Sequence, residues 1–271
     1  FFDKDIPETN AKLQEYAKKE YGRELKPEEV DLFHMASAFG SPVKQPNQDT
    51  SLGMQIMHRY LKTGKLSGAA FNEGVKYGTG ERFGTEPVRQ TNQISIAYQN
   101  KGLNKVGELV KQKGLKSAMD WMRSWQSPEE IARVMGTTVN KIPQHEYLSR
   151  EDGGLGVMAV SGPKLGSYIL NRLGNLSTVT KDMWYARTMG RYTGQKLSFY
   201  DNKDGRQKAI EKPWATTMKG TRMRKLADQA WGEISKEQGV DPAIIQQRMW
   251  DYEKQTWDEH SKTPESKAQG N

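Results

Sequence analysis

Hydrophobic positions along this chain recur at three- and four-residue intervals, the period of a buried helix face rather than of a strand. Leu13, Tyr16, Ala17 and Tyr21 predict a helix over 11–21. Lys26-Pro27-Glu28-Glu29 opens a second, with proline and acids in its first turn and Val30, Leu32, Phe33 and Met35 following. Residues 41–52 read as a polar loop, and Met54, Ile56, Met57, Tyr60 and Leu61 predict a helix over 53–63. Further helices are expected over 92–100, 103–113 and 115–125. Ser127-Pro128-Glu129-Glu130 is a capping box that starts another, ending near Gly136. Residues 140–156 read as a glycine-bearing connection. Beyond it come helices over 181–191, 218–238 and 242–258, the last with Asp241 as N-cap, Pro242 at its first position, and Ile245, Met249, Trp250 and Trp257 as a core stripe. The polar residues 260–271 lack the apolar content to pack. With no strand of any length, the expected class is all-α, as one domain or two helical lobes, divided into an N-terminal region 1–92, a body 93–259 and a tail 260–271.

Composition narrows the chemistry. The 271 residues contain no cysteine, which excludes disulfides, thiol catalysis and cysteine-held zinc or iron–sulfur clusters. A reducing compartment is therefore expected, the cytoplasm or a host cell into which the chain is delivered. None of the four histidines has a ligand-like spacing, so neither metal nor cofactor is expected. No apolar run is long enough to span a membrane. The first residue is Phe, so the chain reads as a processed product or a part of a longer polypeptide. The glycine-rich stretch 64–92 fits neither a dinucleotide nor a P-loop pattern.

Charge adds a partner. The net charge is +8, and between 161 and 225 there are fourteen Lys or Arg against four acids, an excess larger than that of the whole chain. Clustered positive charge favours a polyanion, nucleic acid among the candidates. Within that segment, Ser161-Gly162-Pro163-Lys164 reads as a glycine turn feeding a helix. Backbone amides at such a turn and the helix dipole suit phosphate oxygens, so Ser161, Gly162, Pro163, Arg172, Lys181, Arg187 and Arg191 are candidate DNA contacts. Asp182, eighteen positions after Lys164, stands at an expected helix start. Cleavage of an N-glycosidic bond needs a nucleophile and a carboxylate beside a positive transition state. A lysine amine can attack the sugar C1′ once its pKa is lowered, and neighbouring cations would lower that of Lys164. An aspartate at a helix start is also an ordinary cap. Tyr168 and Trp184 are candidate base contacts, although an aromatic on a helix is more often core.

The stretch 158–187 resembles the helix–hairpin–helix DNA glycosylase superfamily of the endonuclease III type. Gly162 matches the second hairpin glycine and Lys164 the Schiff-base lysine. Leu170-Asn171 matches the leucine–asparagine pair, Asp182 the catalytic aspartate and Arg187 the trailing arginine. Val160 and Ala159 stand where the family has the first hairpin glycine and the proline, and Met183-Trp184 replaces Thr-His. The resemblance implies a two-lobed helical DNA glycosylase, with or without AP lyase activity, using Lys164 and Asp182 to release a flipped base. The alternatives are a non-catalytic DNA-binding module, or a structural or toxin component of a larger polypeptide, for which an inhibitor or immunity protein would be a partner. A glycosidase using Glu146, Glu151 or Asp152 has no supporting spacing.

Overall fold

A computed structural model describes residues 5–40, 46–66, 93–182, Tyr185, Thr188 and 218–260. The fold is mostly helical, with 75% helix and nine α-helices among those residues. The chain divides into two compact units, Phe2–Asn175 and Leu176–Asn271.

In the first unit, α1 (Asp5–Tyr21) buries Leu13 and Ala17 and stops at Gly22, whose φ is 68°. Next, α2 (Pro27–Gly40) is enclosed along almost its whole length, burying Leu32, Phe33, Met35 and Phe39. The third helix, α3 (Pro46–Thr63), begins earlier than its hydrophobic pattern suggests. Residues 46–52, expected as loop, are its first turns, because Pro46 occupies the opening position where a missing N–H costs nothing. Gly53 lets α3 lie close against α2: a Cβ there would sit 2.0 Å from Ser37 Oγ and 3.0 Å from the Phe33 carbonyl.

A single helix, α4 (Gln93–Lys113), replaces the two expected over 92–100 and 103–113. Gly102 does not break it; its bare backbone admits the Phe39 ring, which would lie 2.5 Å from an added Cβ. Gly114, at φ 79°, separates α4 from α5 (Leu115–Arg123). Then α6 (Pro128–Met135) starts at Ser127, whose hydroxyl accepts from the Glu130 N–H, and ends at Gly136 in the left-handed region. Only that half of the capping box forms as expected. The Glu130 carboxylate accepts instead from Trp121 Nε1 at 3.1 Å and from Arg133 Nε at 2.7 Å.

Three short strands were not expected: β1 (Trp125–Gln126), β2 (Leu148–Ser149) and β3 (Gly153–Leu155). They form an antiparallel sheet in the order β1-β3-β2, with Trp125 opposite Leu155 and Leu148 opposite Gly154. Two- and three-residue strands carry no readable alternation. Glycine is what allows them to close up, since a Cβ on Gly154 would lie 2.2 Å from the Tyr147 carbonyl. From β3 the chain runs directly into α7 (Gly156–Arg172). One core joins residues from Leu13 to Leu170, so the boundary expected at 92/93 separates no hydrophobic cores in this unit.

In the second unit, α8 (Met218–Gln238) and α9 (Pro242–His260) enclose a small core of Val179, Tyr185, Ala227, Trp231 and Ile245. The extended segment before Asp182 is tied to α9. The Gln246 side chain accepts from the Thr180 N–H at 2.7 Å and donates to the Thr180 carbonyl, while the Ala243 N–H donates to the Leu176 carbonyl at 3.1 Å. Ile245 is a core residue as its spacing predicts, Trp231 on α8 joins it, and Met249 packs at the edge.

Candidate functional site

The turn at Gly162 divides α7 into two limbs. Its backbone, at φ 75° and ψ 173°, lies in a region open essentially to glycine, and Pro163 starts the second limb. The bend is sharp. A Cβ on Gly166 would lie 2.5 Å from Met158 Sδ and 3.3 Å from Met158 Cα. Residues eight apart on a straight helix would be separated by about 12 Å. The two limbs thus fold back on each other, with Gly166 as the point of closest approach.

Both limbs are buried on their inner faces, and Val157, Met158, Ile169 and Leu170 belong to the core. Lys164 is exposed, one residue after the proline, and Gly162 and Pro163 are half-buried. An exposed ammonium beside a glycine turn and a helix start is an arrangement that suits an anion.

Three residues expected to contact DNA are instead used inside the fold. Ser161 is 3% exposed and its hydroxyl donates to the Val157 carbonyl at 2.6 Å. Arg172 is 7% exposed; its guanidinium donates to the Tyr168 hydroxyl at 3.2 Å and meets His34 Nδ1 at 3.4 Å. His34 in turn bonds Asn10 Oδ1 at 2.6 Å, so α1, α2 and α7 share a buried polar chain. Burial, reinforced by the Arg172 charge, pushes the His34 pKa down to about 3, which keeps the ring neutral. Lys181, in the second unit, is buried against Asp228 with Nζ 2.7 Å from Oδ2. Sequence pattern marks these cations only as charged; their inward partners are distant in the chain.

Tyr168 is half-buried against the core, with the Arg172 guanidinium 5.7 Å from its ring centre. Asp182 Oδ1 accepts from the Tyr185 N–H at 2.9 Å, three residues on. Lys164 and Asp182 belong to different compact units. Trp184, Arg187 and Arg191, with most of the basic stretch, lie outside the described residues.

Among the described residues, a cleft of about 310 Å³ is lined by Lys26, Glu28, Tyr60, Lys113, Lys116 and Ser117. Two of its three lysines are engaged: Lys113 lies 3.1 Å from Glu130 and Lys116 2.7 Å from Asp120. Among the described residues, no group of three or more His, Asp or Glu could hold a metal ion. No helix there is long and apolar enough to cross a membrane. Comparison of the chain with protein-family models, curated proteins and solved structures finds no match.

Proposed function

We propose that this chain is a DNA glycosylase that grips the backbone at the Gly162 turn and releases a base using Lys164 and Asp182. The observation that carries the reading is the turn itself. A glycine in a conformation reserved for glycine is followed by proline at a helix start and by an exposed lysine in the first helical turn. The Asp182 carboxylate, which accepts from the Tyr185 N–H, stands at the position of the second half of the motif. The DNA contacts in this reading are Gly162, Pro163 and Lys164, with Arg187 and Arg191 from the basic stretch.

Chemically, the Lys164 amine attacks C1′ of the target nucleotide as the N-glycosidic bond breaks and the base departs. The proton lost by the amine leaves with the base, and the C1′–O4′ bond then breaks as the remaining N–H proton passes to O4′, giving a Schiff base at the opened sugar. The resemblance gives Asp182 the role of stabilising the positive charge that develops on the sugar. Borohydride reduces the Schiff base to a stable adduct. Incubation with duplex DNA and borohydride should therefore yield a covalent protein–DNA species, absent in Lys164→Ala. Asp182→Asn should lower base release. Neither adducts nor abasic sites on undamaged, uracil-containing or oxidised duplexes would refute the enzymatic reading.

A second reading, DNA binding without catalysis, draws on the bond from the Tyr185 N–H to Asp182, which gives that carboxylate a structural use. It predicts sequence-indifferent, salt-sensitive binding with no product on long incubation.

A further inference from the structure

We propose that Trp125 is a stacking platform for an unpaired DNA base, a contact that rests on the DNA-binding reading above and adds a site to it. Trp125 is 61% exposed, on an edge strand of the small sheet. An exposed indole normally remains free to turn. Here its Nε1–H donates to the Asp152 carbonyl at 2.9 Å, across twenty-seven residues of chain. The one polar group of the ring is thereby spent within the protein and its orientation fixed. What remains for a partner is aromatic surface, held in place before anything binds. Such a surface suits a base, which offers a π-face whatever its sequence.

The sheet joins this ring to the Gly162 turn. Trp125 pairs with Leu155, and Leu155 is the N-cap of α7. A cross-strand step of about 5 Å and a first limb of about 10 Å put the Trp125 backbone within roughly 15 Å of the turn. At about 3.4 Å per nucleotide, that is a reach of about four nucleotides along one strand. Tyr168, the aromatic that sequence spacing favours, is occupied by Arg172 and the core.

Local charge says which part of a nucleotide is met. Arg150, Glu151 and Asp152 are all exposed on the turn between β2 and β3, and the Asp152 carbonyl is the partner of the indole. One guanidinium against two carboxylates leaves no net positive charge there to seat a phosphate, so the base is the contact. Trp125 should therefore contribute affinity without contributing to salt dependence, opposite to Lys164 in that respect.

The test is fluorescence anisotropy of the full chain with labelled duplexes, fully paired or carrying a central mismatch, across a range of salt. Trp125→Ala should weaken binding to the mismatched duplex about tenfold, equivalent to about 1.4 kcal/mol, with the slope of log K against log salt unchanged. Trp125→Phe, which keeps a ring and loses the bond to Asp152, should stay within about threefold of the parent. Unaltered affinity in Trp125→Ala, or a Trp125→Phe protein as weak as the alanine variant, would overturn the stacking role while leaving DNA binding intact. A parent protein that binds neither duplex at low salt would overturn the DNA-binding reading and this contact with it.

Discussion

Replacing Gly162 by asparagine tests whether the turn is built on a backbone state that other residues cannot adopt. Gly136 supplies the internal comparison. Both glycines have positive φ, but Gly136 lies at φ 61°, ψ 43°, and Gly162 at φ 75°, ψ 173°. The first is the left-handed helical region, which asparagine tolerates, and nothing lies within 4 Å of a Cβ there. The second is a region occupied essentially by glycine, where a side chain costs of order 1–3 kcal/mol. Removing a glycine also stiffens the unfolded chain, which returns about 0.4–1 kcal/mol. Gly136→Asn should therefore change stability by less than about 0.5 kcal/mol. Gly162→Asn should lose about 1–2 kcal/mol, which for a unit of this size lowers Tm by about 2–8 °C. Urea unfolding followed by far-ultraviolet circular dichroism, with both variants and the parent fitted together, measures the difference. Equal losses in the two variants would refute the claim that the Gly162 backbone, rather than mere absence of a side chain, makes the turn.

Three other substitutions test single side chains. His34 is held neutral with a pKa near 3, against about 6.5 when unfolded, so protons favour the unfolded chain below pH 6.5. Stability should be fully present above that pH and fall progressively down to about pH 3; His34→Gln should flatten the fall between pH 6.5 and 5 in urea titrations. Ser127→Ala removes the acceptor of the Glu130 N–H and should cost about 1 kcal/mol in the same assay. Lys181→Ala leaves Asp228 without its buried partner and should destabilise the second unit by about 1–3 kcal/mol, seen as earlier loss of Trp231 burial by fluorescence quenching.

Helices were legible because their apolar faces repeat over many residues. The Ser127 cap, the start of α9 at Pro242 and the core placement of Trp231 and Ile245 all follow from local chemistry. The glycine turn at 162 was legible as well, since Gly-Pro inside an otherwise helical run has few other uses. Failures arose where contact, not pattern, decides. Gly102 reads as a breaker until the Phe39 ring is seen against it. The sheet is too short for any periodicity. Ser161, Arg172 and Lys181 read as a polar surface, yet each is satisfied by an inward partner, Arg172 by His34 on α2, 138 positions away. A sequence records that a residue is charged; whether its charge reaches solvent depends on the helix packed over it.

The small sheet also sets an order of events. Its pairing of β1 with β3 closes an excursion that carries α6, the turn at 139–141 and β2. Bringing ends twenty-seven residues apart together costs about 3 kcal/mol in chain entropy, repaid by only a few ladder bonds. The strands should thus join after α5 and α7 have found each other and part before they do. Opening there would free the excursion as one cooperative piece and unpin the indole of Trp125 at the same moment. Amide hydrogens of Gln126 and Gly154 would then exchange together, ahead of those in α7, which makes this the seam along which the first unit loosens.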